Sequence, residues 1–431
     1  MEIRMWGLMG CLLLGGGVWA NGLNKDFGLE VWSDNNLWDD KAEVLAERLG
    51  LSGSGKGVTG YYQGALRPGT KVLEGQAFMI HLYATGSKVQ RVVIGFASRA
   101  DIQRILSTDP KQQGKTEGEL AMLMEKEFQA MVTKDVPLIR EALSKRLGKP
   151  AVEEGKEEWT WSGHKLVLNP SGDNVTLAIE PAALGNELTG RAAERQKQYD
   201  TAKLISELPR RADRRSNGDV VLEGVPAVSQ GARNYCVPAS WEKCLLYYGL
   251  KDLDVYALAQ TGGTTVNGTM FMPFTAKVNP VLEERGFLAQ LVKEPAQQVS
   301  AVKSYIDRGV PLLWALNAAQ LPEWVARSAN RTGRLKEIKP VRGAKEPPDA
   351  PHALMIIGYN SGFNELCLSD STELGASSPE IWIMAKEAEQ MGYRETEMVA
   401  VVPKALGSDG GGAARTPGAG TPVPYSGKKW Y

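Results

Sequence analysis

The sequence predicts an α+β protein with two domains, and three observations support that prediction. The chain has 431 residues, which is enough for two domains of ordinary size. Its first half mixes helical spacing of apolar residues with strand-like runs, and its second half places a helix ahead of a set of strands. A basic, turn-rich segment at 208–218 separates the halves and is the best candidate for a domain boundary.

The composition excludes several classes of function. Apolar residues make up 43% of the chain and charged residues 23%, as in folded globular proteins. The 50 basic and 50 acidic residues cancel, so a generally cationic nucleic-acid binder is not expected. The chain has three histidines and neither an HExxH motif nor paired CxxC motifs, so we expect no metal and no other cofactor.

The amino terminus has the pattern of a signal peptide. Residues 1–20 combine the positive charge of Arg4 with an apolar run, and the small Ala20 suits cleavage at its end. We therefore expect an exported protein, periplasmic or extracellular, with no stable membrane span after signal cleavage. A retained membrane anchor and lipid attachment at Cys11 are the alternatives.

Three cysteines remain after such cleavage, at positions 236, 244 and 367. An odd number leaves at least one thiol free or paired with another molecule. A disulfide between Cys244 and Cys367, which would leave Cys236 free, stays open at this point.

Residues 21–185 are predicted to form an α+β domain of no family that we recognise. The predicted elements are a helix before Gly50, strands at 75–84 and 89–98, a long charged helix at 117–147 that Pro137 breaks or kinks, and short antiparallel strands within 158–180. Its histidines, His81 and His164, are expected to be structural or surface residues. Two roles are open for this domain: an inhibitory pro-segment removed at 208–216, or a module that recruits substrate.

The segment from Gly50 to Lys56 resembles a phosphate-binding Walker A loop. That loop needs Ser or Thr after the lysine to hold magnesium, and here Gly57 follows. The order of elements is also reversed, because a predicted helix precedes the loop and a predicted strand follows it. We therefore interpret the segment as a glycine-rich loop after a helix.

The rest of the chain divides into three parts. Residues 186–218 are predicted to form a charged helix and a basic linker, residues 219–404 the second domain, and residues 405–431 a disordered tail rich in Gly and Pro. Within the second domain, strands are predicted at 311–316, 353–359 and 365–369, after two helices.

Cys236 is the candidate nucleophile. Apolar residues after it recur at helical spacing, and Pro238 is tolerated only in the first turn of a helix. These features place Cys236 at the amino-terminal end of a buried helix, where the helix dipole favours a thiolate. A buried structural cysteine is the alternative interpretation.

A thiol nucleophile needs a base, and His352 is the only histidine after residue 164. It directly precedes an apolar strand, and a hairpin would bring the end of the next strand, with Asp370, near it. Gln230 lies six residues before Cys236, in a loop from which its amide can point back at the cysteine. The candidate set is therefore Cys236 as nucleophile, His352 as base, Asp370 as orienting acid and Gln230 as oxyanion donor. Asn360 and Asn364 are fallback orienting residues.

In this order, the residues resemble the papain-fold cysteine peptidases. The chain is most similar to the bacterial subgroup related to bacteriocin-leader-processing peptidases, whose triad is Cys-His-Asp. The resemblance covers roughly residues 219–400, and its matching pieces are Gln230 with Cys236-Val-Pro-Ala-Ser, Ile306-Asp-Arg-Gly-Val-Pro311, His352-Ala-Leu-Met-Ile-Ile-Gly-Tyr and Leu368-Ser-Asp-Ser371. It implies a helix bearing the cysteine, packed on an antiparallel sheet that carries the histidine and the acid. It also implies a peptide or protein substrate.

The sequence departs from the family in two places. The family commonly follows the acid with Ser-Trp-Gly, which shields the His–acid pair, whereas Thr372 and Glu373 follow Ser371 here. Residues 318–350 look like an insertion with more basic than acidic residues. This insertion would cover the cleft or attract acidic substrate, or it is a solvated loop. Two other functions therefore stay open: an inactive papain-fold binding module, and a cell-wall amidase or acyltransferase on the same fold.

Overall fold

The computed structural model divides the chain into two compact units, and we describe each by itself. The N-terminal unit comprises residues 1–55, 60–102 and 114–185, and the C-terminal unit comprises 186–431 with the segments 56–59 and 103–113. The residues that the structure describes are 23–33, 37–54, 60–67, 69–153, 155–170, 174–182, 201–231, 234–265, 268–294, 296, 298–331, 333–336, 350–372, 380–391 and 398–407. The predicted signal peptide, Cys11, Lys56 and the predicted tail beyond 407 lie outside them.

An antiparallel sheet of eight strands forms the N-terminal unit, in the order β1-β2-β5-β6-β10-β9-β8-β7. Its strands are β1 Ser52–Ser54, β2 Gly60–Ala65, β5 Met79–Thr85, β6 Lys88–Ser98, β7 Ala151–Glu153, β8 Lys156–Trp161, β9 His164–Asn169 and β10 Asn174–Pro181, with β3 Lys71–Val72 and β4 Gly75–Gln76 as a separate pair. Its helices are α1 Ala42–Arg48 and α3 Glu117–Leu147, and the helix α2 Arg99–Thr108 begins in it.

The long helix α3 begins with a capping box between Thr116 and Glu119 and runs through Pro137 as one element. The expected break at that proline is therefore absent. Both histidines of the unit are buried structural residues: His81 Nδ1 lies 2.6 Å from the Tyr61 hydroxyl, and His164 Nε2 accepts hydrogen bonds from Trp32 and the backbone of Leu37. Burial lowers the pKa of His164.

The C-terminal unit combines helices with an antiparallel sheet in the order β11-β12-β15-β14-β18-β13, with β16 joining β15 to β17. The strands are β11 Ala212–Arg214, β12 Asp219–Leu222, β13 Phe287–Val292, β14 Leu312–Asn317, β15 Pro351–Asn360, β16 Glu365–Ser369, β17 Ile381–Met384 and β18 Met398–Pro403. The helices are α4 Thr201–Glu207, α5 Cys236–Tyr247, α6 Val255–Gly262, α7 Phe271–Glu283, α8 Val299–Ile306, α9 Leu321–Ser328, α10 Ala385–Met391 and α11 Lys404–Gly407.

The longest strand of this sheet is β15, and it organises the unit. It pairs with β14 along 351–356, with β12 along 358–360 and with β16 along 355–360, all antiparallel. The predicted strands at 311–316, 353–359 and 365–369 correspond to β14, β15 and β16. No helix in the described part of the chain is both long and apolar enough to cross a bilayer.

The segment expected to be a basic linker is part of the C-terminal sheet instead. β11 pairs with β12, Leu208 is fully buried, and Arg211 donates a hydrogen bond to the Tyr247 carbonyl oxygen. The arginines suggested a solvated connection, but Leu204 and Leu208 anchor the segment in the core. Cleavage within 208–216 would therefore cut through residues that pair with the sheet.

A glycine at position 309 allows the backbone of Leu208 to pack closely against it. Gly309 has φ +75°, and a Cβ there would lie 2.0 Å from the Leu208 carbonyl oxygen. We expect Gly309→Ala to lower the free energy of unfolding by about 2–4 kcal/mol, since backbone must move to relieve the overlap. Urea unfolding followed by tryptophan fluorescence measures this loss. Gly333→Ala is the control, because Gly333 also has positive φ but faces open space. Equal losses in the two variants would contradict the steric explanation.

The start of the predicted insertion packs against the sheet. Trp324 of α9 is fully buried, and Arg327 makes a bidentate ion pair with Glu387. Arg331 bridges the buried carboxylates of Asp219 and Glu365. These two arginines are thus neutralised inside the unit and do not attract substrate, while residues 337–349 lie outside the described residues.

Candidate active site

Helix α5 begins at Cys236, as the sequence predicted. Pro238 occupies the first turn, where its missing N–H has no partner within the helix. All twelve residues of the helix are buried, and the Cys236 side chain lies at the end where unpaired backbone N–H groups and the helix dipole favour negative charge. This position suits a thiolate nucleophile.

A polar stripe on α5 faces the strand that carries His352. Cys236, Ser240 and Lys243 are spaced i, i+4 and i+7, so they share one face of the helix. The Ser240 hydroxyl donates to the carbonyl oxygen of Ala353, the residue after His352, over 2.9 Å. This bond fixes the register of the helix start against β15.

His352 is the second residue of β15 and lies opposite Leu316 of β14. Its Nε2 is 2.5 Å from Asp370 Oδ1, and the pair is buried. Since Nε2 is engaged, Nδ1 is the ring nitrogen left for the Cys236 thiol, which lies within hydrogen-bonding reach of the ring. Nucleophile, imidazole and carboxylate therefore follow one another in a line of contacts.

The electrostatics of the pair favour a charged imidazole. Burial alone lowers the pKa of His352, but the charge and hydrogen bond of Asp370, with a contribution from Cys236, raise it to about 10. Burial alone raises the pKa of Asp370, but the charge and hydrogen bond of His352 hold it well below its usual range. With these two pKa shifts, His352 is an imidazolium and Asp370 a carboxylate at neutral pH.

The residues after Asp370 complete the site. Thr372 donates to Asp370 Oδ2 through both its backbone N–H, over 2.9 Å, and its hydroxyl. Ser371 donates its hydroxyl to Gln230 Oε1 over 2.9 Å, and its carbonyl oxygen accepts from the Gln230 backbone N–H over 2.7 Å. With its oxygen held by Ser371, the Gln230 side chain has its amide nitrogen as the end that can donate to a substrate.

The four residues predicted from the sequence thus lie around one strand end, and their catalytic roles remain predictions. Cys236 and Asp370 contact His352, and Gln230 is tied to Ser371, next to Asp370. The fallback residue Asn360 bonds instead to Asp219 at the far end of β15, and Asn364 lies in the same turn.

Three residues of this site were given no role from the sequence: Lys243, which it did not single out, and Ser371 and Thr372, which it noted only in the comparison with the family. The Lys243 ammonium donates to the Ser369 hydroxyl over 3.1 Å and to the Asp370 carbonyl oxygen. A lysine seven positions after Cys236, on the same helix face as Cys236 and Ser240, was the available signal. Where the family has an aromatic shield after the acid, Thr372 caps the carboxylate, and residues 373–379 lie outside the described part of the chain.

The other two cysteines do not pair. Cys244 and Cys367 are both buried thiols, so the disulfide left open by the sequence is not formed. Burial raises the pKa of each well above that of an ordinary thiol. Among the described residues, no group of three or more His, Cys, Asp or Glu side chains could hold a metal ion.

Comparison with known proteins places this site in a family context. Residues 222–401 match the model of the Peptidase_C39 like family. The matched region contains Gln230, Cys236, His352 and Asp370 and spans most of the C-terminal unit. This match agrees with the predicted resemblance to cysteine peptidases. The structure confirms the α+β fold class, with a separate α+β region before the matched residues.

A solved structure is also similar. It is the crystal structure of xylellain, a cysteine protease from Xylella fastidiosa, with 12% sequence identity and a TM-score of 0.29. The similarity covers 46% of this chain and 88% of the xylellain chain. No curated protein sequence matches the chain.

Proposed function

We propose that the protein is an exported cysteine peptidase that hydrolyses peptide bonds in proteins or peptides, with Cys236 as its nucleophile. The observation that supports this proposal best is the position of His352, with Nε2 bonded to a buried Asp370 and the Cys236 thiol beside the ring. That arrangement is what a thiol needs to become a nucleophile at neutral pH. The family match of residues 222–401 agrees with this chemistry.

The reaction is acyl transfer to water. In the resting ion pair His352 already holds the proton of the Cys236 thiol, and the thiolate sulfur attacks the carbonyl carbon of the scissile bond. The Cys236 backbone N–H and the Gln230 amide stabilise the oxyanion, and His352 then protonates the leaving amine. Water hydrolyses the thioester with His352 as base, while Asp370 stays ionised and holds the ring orientation.

The contribution of Gln230 to kcat can be measured. We expect Gln230→Ala to lower kcat by about 10²–10³-fold, the usual cost of one oxyanion donor, and to leave measurable activity. Steady-state kinetics on a peptide substrate measure this loss. Asn217→Ala, which changes an amide side chain beside Asp219, is a matched control and should keep the wild-type kcat. Full activity in Gln230→Ala would remove Gln230 from the oxyanion site.

The bond that is cleaved separates the proposal from its alternatives. Purified protein is incubated with an unstructured protein and, separately, with peptidoglycan, and the products are identified by mass spectrometry. New peptide termini in the protein substrate support a peptidase. Release of stem-peptide fragments alone would indicate a cell-wall amidase, and tight binding without any product would indicate a binding module.

Export is part of the proposal and has its own support. It rests on the pattern of residues 1–20, with Arg4 before an apolar run that ends at Ala20. Amino-terminal sequencing of the protein from its native host tests it. A mature chain that begins at residue 21 supports export, and a chain that retains Met1 in the cytoplasm contradicts it.

A further inference from the structure

The lysine behind the triad has no role in the mechanism given so far. Lys243 lies two helical turns after Cys236 and is almost completely excluded from solvent. Its ammonium donates to the Ser369 hydroxyl and to the backbone carbonyl oxygen of Asp370. An isolated buried ammonium is strongly unfavourable, so an ion in this position needs a compensating charge.

Asp370 supplies that charge. Burial lowers the pKa of Lys243 to about 8, and the Asp370 carboxylate is the charged group that opposes this shift. The neighbouring elements α6 and β14 contain no Asp, Glu, Lys, Arg or His, and β15 contributes only His352. In the described part of these elements, the charges that face Lys243 from outside its helix are thus Asp370 and, behind it, His352, and the buried Glu242 precedes Lys243 on the helix itself.

The Lys243 ammonium changes the net charge of the buried groups around the thiol. With Cys236 as thiolate, His352 as imidazolium and Asp370 as carboxylate, the three groups together carry one negative charge. The Lys243 ammonium brings the sum over these four groups to zero. Without it, forming the thiolate would create net negative charge in a region of low polarity, which is unfavourable.

We propose that Lys243 is a positioning residue, resting on the proposed function, that holds Asp370 by its backbone and offsets its charge so that the thiolate of Cys236 forms at lower pH. The lysine acts through Asp370 and does not touch substrate. Because Lys243 itself loses its proton near pH 8, its effect is confined to lower pH. The alkaline limit of the Cys236–His352 ion pair should therefore stay where it is.

The test is the pH dependence of Cys236 alkylation by iodoacetamide in the full chain. We expect Lys243→Met to move the acidic limb of this profile up by about one pH unit, so that alkylation becomes about tenfold slower at mildly acidic pH. Lys243→Gln, which keeps hydrogen-bond donors without the charge, should show the same shift. Lys251→Met is the matched control, since Lys251 is a half-buried lysine whose pKa burial also lowers, but it lies beyond the end of α5 remote from Cys236.

The outcomes separate this inference from the proposed function. If the acidic limb of the alkylation profile stays at the same pH in the Lys243 variants, the inference is overturned, even if the maximal alkylation rate falls. A purely structural role would lower that rate without moving the acidic limb. If the wild type itself shows no His352-dependent labelling of Cys236, the proposed function fails instead.

Should neither Lys243 variant fold, the wild type still decides the question. The protein is labelled with ¹⁵N at the lysine Nζ atoms, and the NMR signal of the buried Lys243 is recognised by its protection from solvent exchange. Alkylation of Cys236 must shift this signal. An unchanged signal would overturn the inference.

Discussion

Peptide-bond hydrolysis is expected to disappear when Cys236 is replaced by alanine. The sulfur forms the covalent bond to the substrate, and members of a catalytic triad act as a unit, so we expect kcat to fall by at least about 10⁴-fold. Assay of purified wild-type and C236A protein on the same unstructured substrate measures the loss. The fold should be unaffected, because the change removes one buried sulfur at a helix terminus.

Cys244→Ala is the matched control for this prediction. Cys244 lies in the same helix and is fully buried, so its replacement removes a sulfur from the core and leaves the nucleophile in place. We expect this variant to keep most of the wild-type activity. Full hydrolysis by C236A, or equal losses in the two variants, would contradict the assignment of Cys236 as nucleophile.

Asp370→Asn is expected to lower kcat/KM by about 10²–10⁴-fold and to lower the alkaline limit of activity. The charge and hydrogen bond of Asp370 raise the pKa of His352 to about 10, against the effect of burial. Without the carboxylate, burial dominates and the imidazolium loses its proton at lower pH. The pH dependence of kcat/KM in the two proteins measures both effects.

The same variant should change how stability depends on pH. The pKa of His352 is raised on folding, so the paired imidazolium stabilises the wild type fully below about pH 6.5. This contribution is lost as the pH rises through about 10. The pKa of Asp370 is lowered, so its contribution is present above about pH 3.9 and is lost as the pH falls.

Thermal unfolding across the pH range measures this dependence, and Asp370→Asn should flatten both slopes. Asp307→Asn is the control, because Asp307 also has a lowered pKa but pairs with Lys303 and Arg214 outside the site. An Asp370→Asn enzyme with the wild-type rate and the wild-type alkaline limit would contradict the role of Asp370.

Local patterns in the sequence were sufficient to predict the positions of Cys236, His352 and Asp370. Pro238 and the apolar spacing after Cys236 predicted where the helix begins, since proline is favoured in a first turn. His352 was the only histidine in the second half of the chain, and a short hairpin connects its strand to the one that ends before Asp370. These predictions needed no knowledge of register, because each depended on a single element or on one turn.

The contacts that support the site depend on register and on packing between distant segments. Ser371 meets Gln230 across 141 positions, and Lys243 meets Asp370 across 127, so neither contact follows from any local pattern. The strands β17 and β18 are short runs buried on both faces, which periodicity cannot distinguish from a buried helix. The arginines of 208–218 suggested a linker. The segment is instead anchored by the contact of Leu208 with Gly309, a tertiary contact that no local pattern indicates.

Labelling of the cysteines at mildly acidic pH tests the central claim most directly. Wild-type protein and His352→Ala are treated briefly with iodoacetamide at about pH 5.5, where an ordinary thiol is almost fully protonated, and the modified residue is identified by mass spectrometry. An ion pair predicts rapid modification of Cys236 alone in the wild type, and its loss in His352→Ala. Equally slow modification of Cys236, Cys244 and Cys367, or rapid Cys236 labelling that persists without the imidazole, would contradict it.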